Sequence, residues 1–122
     1  MPRHIVCLTF DFDTQSGFIA RGMTTPTSLS RGEFGLIGAR RILGLLKAHG
    51  LRATWFTPGF TIESHPKICE EVVAAGHEIG HHSWAHIPPA TQTRAEKHPR
   101  PFCRELRRRE RAGCRVEYPN WR

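Results

Sequence analysis

The stretch RHIVCLTFDFD, residues 3–13, decides the reading of the fold. Arg3 to Phe10 is short, apolar and partly β-branched, then ends in the acidic Asp11-Phe12-Asp13, the pattern of a buried strand whose C-terminal end carries carboxylates. Thr14 to Arg31, rich in Gly, Ser and Thr, is expected to be a long loop of the functional kind. From Glu33 to His49 the apolar Leu36, Ile37, Ile42, Leu43, Leu45 and Leu46 recur at helical spacing, closed by Gly50 as a C′ residue. Leu51 to Phe56 reads as a second strand, stopped by Pro58-Gly59. Ile62 to Ala75 reads as a second helix, with Ser64 as N-cap, Pro66 in the first turn, Ile68, Val72 and Val73 facing inward, and Gly76 ending it. A third short strand begins at His77 and runs to Gly80. The order βαβαβ, in units of roughly 30 residues, predicts parallel crossovers and hence an α/β sheet or the opening half of a barrel.

Composition bounds the rest. The chain has 122 residues, 39% of them hydrophobic and 24% charged, which is globular and fits one core. No apolar run approaches the roughly 20 residues of a membrane span, and Ile5 to Leu8 is cut off by Asp11 too early for a signal-peptide core, which predicts a cytoplasmic product away from membranes. The four cysteines, Cys7, Cys69, Cys103 and Cys114, show no CxxC spacing, so reduced structural thiols are expected. The net charge of +7 is uneven: residues 1–86 carry 8 Lys and Arg against 7 Asp and Glu, whereas residues 87–122 carry 10 against 4. Hydrophobic content falls across the same point, from 36 of 86 residues to 11 of 36, with a helical period only over Cys103 to Ala112. The expected division is a domain over residues 1–89 and an irregular, basic, Arg- and Pro-rich tail over 90–122.

In parallel α/β folds the loops at the C-terminal ends of the strands gather ligands. Asp11 and Asp13 stand at one such end, and His81-His82-Ser83-Trp84-Ala85-His86 follows the third strand. Two imidazoles and a carboxylate form a chemically coherent set for a divalent metal with an open position for water. The bland alternative makes Asp13 a loop cap and the histidines surface residues; a lone histidine would be read so, but the joint pattern favours a metal.

A competing motif lies close by. His77-Glu78-Ile79-Gly80-His81 fits H-E-x-x-H, which in zincin metallopeptidases sits on a helix. Here Gly76 has just ended a helix and Gly80 would occupy the interior of the next. On a strand His77 and His81 would stand about 13 Å apart and could not share an ion. A non-haem iron oxygenase also uses two His and one carboxylate, but no jelly-roll pattern of short alternating strands accompanies them.

The motifs together resemble the polysaccharide deacetylase family, the NodB-homology hydrolases of carbohydrate esterase family 4 type. Leu8 to Asp13 is similar to the family's first motif, Gly76 to His86 to its second, and Ala53 to Gly59 to the segment between, over residues 4 to about 88. The likeness is strongest to the branch with Asp-Phe-Asp in place of adjacent aspartates, whose members act on peptidoglycan-type N-acetyl groups or on small ureides and cyclic imides. The resemblance implies the N-terminal half of a distorted (β/α) barrel of the glycoside hydrolase/deacetylase type. It further implies Asp11 as catalytic base and Asp13, His82 and His86 as ligands of a metal, usually zinc, with Co, Fe or Mn as alternatives. Glu78 and His81 receive no chemical role.

The reaction so implied is hydrolysis of a non-peptide C–N amide bond in an N-acetylated sugar or small molecule. The family's general acid is a histidine on a late strand, following an Arg-x-Pro motif, and neither Arg100-Pro101 nor His98 matches it. A full barrel takes about 250 residues, so the chain is expected to be half of one, truncated or frameshifted near residue 90 and weakly active or inactive alone. Two other readings are weighed against this one. A basic fragment could bind nucleic acid or anions through Arg104, Arg107, Arg108, Arg109, Arg111 and Arg115, but aromatic interleaving and a DNA-binding motif are lacking, so no nucleic-acid partner is expected. A non-catalytic subunit would form a homo-oligomer or take its missing C-terminal half from another chain, and the open sheet edges predict such association.

Overall fold

A parallel three-stranded sheet, ordered β1-β2-β3, organises the computed structural model, which describes residues 4–93. The strands are β1 (Thr9–Asp11), β2 (Thr54–Thr57) and β3 (Glu78–His81), with Phe10 opposite Trp55 and Trp55 opposite Ile79. Helices α1 (Ser16–Ile19) and α2 (Pro26–Ala48) join β1 to β2; α3 (Gly59–Ser64) and α4 (Pro66–Ala74) join β2 to β3; a 3₁₀ turn over Pro89–Thr91 follows.

Both long crossovers end by the same local chemistry. After α2, the Gly50 N–H donates to Lys47 O and the Leu51 N–H to Leu46 O; after α4, Gly76 donates to Val73 O and His77 to Val72 O. Gly50 and Gly76 have φ of 62° and 81°, the left-handed conformation that this pair of bonds requires and that glycine adopts without a Cβ penalty. Each motif satisfies the last carbonyls of its helix and turns the chain into the next strand.

The core lies between the sheet and α2, α3 and α4. Trp55, 1% exposed, is its centre: Phe10 lies tilted against it at 5.0 Å and Phe12 meets it edge-on at 5.7 Å. Leu46, Ile62, Ile68, Val72 and Ile79 surround it, each buried aliphatic contributing roughly 1.5–3 kcal/mol of transfer free energy. Cys69 is buried in this core and Cys7 is exposed.

Four expectations are corrected. The buried first strand over Arg3 to Phe10 shrinks to Thr9–Asp11, and Ile5 and Val6 are 87% and 79% exposed. Only residues facing Thr54–Phe56 have a ladder partner, and no strand among the described residues lies on the other side of β1. The expected loop Thr14 to Arg31 contains α1 and the first turns of α2. Thr25 is the N-cap, its Oγ1 accepting from the Ser28 N–H at 3.3 Å, with Pro26 at the first helical position. The helix expected from Glu33 therefore starts at Pro26, and of the apolar residues that mark its period Ile37 and Leu45 are exposed. Finally, the helix expected over Ile62 to Ala75 is two helices broken at His65, whose φ of −132° reflects the exclusion of the α conformation before proline; Ser64 ends α3 rather than capping α4. The basic tail from residue 94 onward, with the helical period at Cys103 to Ala112, lies outside the described residues.

Candidate functional site

The C-terminal ends of β1 and β3 point their following loops to one place. The Phe12 N–H donates to Phe56 O at 2.8 Å, extending the ladder one residue past β1 and burying the Phe12 side chain. Strand alternation would then face Asp13 away from that core, and the chain turns sharply at Thr14 with φ of 50°. Asp13 Oδ1 lies 3.4 Å from His82 Nε2, and Asp13 Oδ2 lies 3.1 Å from His86 Nε2. The donor atoms of the three residues all lie within 4.8 Å of one another, and the two imidazole rings stand edge to face, 4.9 Å between centroids.

The side chains are 29%, 30% and 36% exposed for Asp13, His82 and His86. Yet Asp13 Oδ1 and His82 Nε2 are themselves buried and have no hydrogen-bond partner. Leaving a buried polar atom unsatisfied costs roughly 1–3 kcal/mol, and a cation between the three residues would satisfy both atoms at once. One carboxylate and two imidazoles suit a divalent transition metal better than calcium or magnesium, which prefer all-oxygen shells. The residues fit such an ion.

The backbone around the cluster is held in uncommon conformations. Thr14, Ser83 and His86 are the non-glycine residues with positive φ among the described residues, at 50°, 59° and 59°, and all three sit in the two site loops. Such residues cost about 1–3 kcal/mol each and persist where the surroundings over-determine them. Here the surroundings are explicit. The Asp13 carbonyl accepts from the Ser16 N–H at 3.0 Å, the Ser16 hydroxyl at 2.7 Å and the Thr61 hydroxyl at 2.8 Å. Thr61 Oγ1 also lies 2.9 Å from Thr14 Oγ1. Because the single Thr61 proton goes to Asp13, Thr14 is the donor in that pair. On the other loop, the Gly59 and Phe60 N–H groups donate to the Ser83 and Trp84 carbonyls.

Asp11 ends β1 with an exposed side chain and stands outside the three-residue cluster. It lines a cleft of about 310 Å³ with Asp13, Phe18 and Arg31. The competing H-E-x-x-H motif lies on and just before β3, not on a helix. His77 is buried, its Nδ1 accepting the Ala53 N–H at 3.3 Å, and Glu78 accepts from the Thr54 hydroxyl at 2.6 Å. Both are thus engaged in joining β2 to β3. The sequence reading missed Ser16, Thr61 and Gly59. Thr61 meets Asp13 across 48 positions, a separation over which no spacing rule operates.

Comparison with known proteins bears on the same segment. Residues 37–112 match the family model described as polysaccharide deacetylase. A peptidoglycan deacetylase of Helicobacter pylori is 38% identical over 92 residues, covering 73% of this chain and 31% of that protein. A peptidoglycan deacetylase-like protein of Gibberella zeae is 31% identical over 87 residues, covering 66% of this chain and 26% of its own length. The chain thus spans about a third or less of the length of these relatives. Among solved structures, one from Mycobacterium smegmatis assigned to the polysaccharide deacetylases aligns with 28% identity and a TM-score of 0.68, over 86% of this chain and 38% of that one. The PuuE allantoinase aligns at 23% identity with a TM-score of 0.71, over 90% of this chain and 43% of that one, which bears on the fold alone.

Proposed function

The chain belongs to the polysaccharide deacetylase family of hydrolases, and from that premise we propose that it carries the metal-binding face of a site that hydrolyses non-peptide C–N bonds. The observation that carries this reading is the convergence of Asp13, His82 and His86, with two buried donor atoms left without a hydrogen-bond partner. These three residues would hold the metal, with zinc preferred and Co, Fe or Mn able to replace it. When bound, the ion supplies Lewis acidity that polarises the substrate carbonyl and acidifies water.

The chain's own residues divide the remaining work. Asp11, exposed at the end of β1 and free of the cluster, is the proposed base that takes the proton of the attacking water. The bond broken is the acyl C–N bond, and the products are a carboxylate and an amine. The amine nitrogen needs a proton to leave, and no residue of this chain is assigned to deliver it. Substrate is proposed as an N-acetylated glycan, in line with relatives named as peptidoglycan deacetylases, with small ureides or cyclic imides as the second class.

The same reading takes the chain as the first half of a barrel, with a domain over 1–89 and a basic tail over 90–122, although the family match itself runs on to residue 112. A cytoplasmic location rests on the sequence alone; among the described residues, no helix is long and apolar enough to cross a membrane. The test is hydrolysis by the zinc- or cobalt-loaded chain, measured as acetate released from N-acetylglucosamine oligomers and ammonia or ring opening from ureides and imides. Weak turnover, in keeping with the unassigned proton donor, that is abolished by chelation and falls toward background, by on the order of 10²- to 10⁴-fold, in Asp11→Asn with metal content unchanged, is the expected result. Activity indifferent to chelation, or an Asp11→Asn variant as fast as the wild type, overturns it.

A further inference from the structure

Helix α3 touches both loops of the site, and it does so with three consecutive residues. Gly59 and Phe60 donate their N–H groups to Ser83 O at 3.1 Å and Trp84 O at 2.9 Å, inside the His82–His86 loop. One residue on, Thr61 donates its hydroxyl to the Asp13 carbonyl at 2.8 Å and accepts from Thr14. Thr61 is fully buried. The Trp84 ring lies against the Cα of Gly59, where any Cβ would overlap it. The spacing between the aspartate and the two histidines is therefore set through α3 as well as through the sheet.

We propose that α3 is the positioning bracket of the cation site, with Thr61 holding the Asp13 turn and Gly59 seating the Trp84-bearing histidine loop. The proposal rests on the reading of Asp13, His82 and His86 as metal ligands. Neither Thr61 nor Gly59 touches the ion; both are positioning residues. The left-handed Thr14 and the left-handed Ser83 and His86 are the conformations the bracket maintains. Without the Thr61 hydroxyl, Asp13 O keeps only Ser16, the Thr14 hydroxyl loses its acceptor in a buried setting, and the carboxylate is free to rotate away from the histidines. Residues behind metal ligands commonly change affinity by roughly 10- to 100-fold when removed.

The test compares the wild-type chain with Thr61→Val, Thr61→Ser and Gly59→Ala. Zinc affinity is measured by chelator competition and cobalt by its visible absorption. Thr61→Val, close in shape but without a hydroxyl, is expected to lose roughly 10- to 100-fold in affinity and to shift the cobalt bands, while Thr61→Ser stays near wild type. Gly59→Ala is expected to weaken binding through displacement of Trp84. A merely structural role for Thr61 would lower the unfolding temperature but leave cobalt bands and affinity unchanged in the folded protein, and that result overturns the proposal. Hydrogen exchange in the metal-free chain keeps the two claims separate. The bracket predicts faster exchange at the Ser16 amide in Thr61→Val with the β2 and β3 amides unchanged, and an unchanged Ser16 rate sinks it even if no variant binds metal. A wild-type chain that takes up no metal sinks the functional reading instead.

Discussion

At the residue scale, the histidines fall into two groups by what their rings do. His82 and His86 face a carboxylate across the site, whereas His77 is committed to the fold. Its Nδ1 accepts a backbone N–H, so the ring is neutral when it makes that bond, and burial, aided by the charge of Arg52, pushes its pKa below the ordinary value near 6.5. His65 is lowered as well, by burial partly offset by Glu33. For such groups the unfolded chain binds more protons than the folded one as pH falls. The stabilisation from a neutral His77 is therefore fully present above about pH 6.5 and is lost as pH drops through its lower folded value. Urea midpoints measured downward from pH 7 are expected to fall, and His77→Asn, which keeps an acceptor but cannot titrate, is expected to flatten part of that fall. An identical pH profile in the variant would contradict the assignment. The three side chains that converge were legible at this scale, because Asp13, His82 and His86 sit in motifs whose residue types and spacing are local. The hydroxyls of Thr61 and Ser16 were not, since a threonine or serine carries no sign of which carbonyl it will meet.

At the scale of elements, chain punctuation explains what could be read and what could not. Gly50 and Gly76 marked the ends of α2 and α4 correctly because a C′ glycine acts within five residues of its own helix. The start of α2 was hidden because Thr27, Ser28, Ser30 and Gly32 are poor helix formers by intrinsic propensity. Gly32 is retained there by contact: a Cβ on it would come 2.7 Å from the Cα of Gln15. The break between α3 and α4 was hidden because apolar residues on either side, Ile62 before it and Ile68 after it, invite one continuous helix, although Pro66 was its signal. Arg40 of α2 pairs with Glu71 of α4 through two nitrogens at 2.9 and 3.1 Å, an exposed contact that aligns the helices rather than holding them. The C′ glycines matter more. Gly76→Ala places a Cβ at φ of 81° and is expected to cost about 1–2 kcal/mol, which thermal unfolding would register as a drop of several degrees. An unchanged melting temperature would show that the turn into β3 tolerates another conformation.

At the scale of the molecule, the open feature is the sheet. No strand among the described residues pairs with the outer edge of β1 or of β3, and Ile5, Val6, Phe34 and Leu45 present apolar surface to solvent. Exposed strand edges and apolar helix faces are association surfaces. Sedimentation equilibrium of the whole chain is expected to give a mass that rises with concentration, and a folded monomer at every concentration would count against those faces being sticky. The parallel α/β order was readable in advance because each crossover carries its own helical period.

Everything proposed for this site depends on whether Asp13, His82 and His86 hold an ion together. The most direct measurement is metal content per chain after exposure to zinc or cobalt and removal of excess, on the wild type beside Asp13→Ala and His86→Ala, with circular dichroism confirming that each variant is folded. Near-stoichiometric metal in the wild type, lost in both folded variants, is the predicted result. A wild-type chain without metal, or folded variants that retain it, would contradict that assignment and leave the three side chains as a polar cluster with no cation to hold.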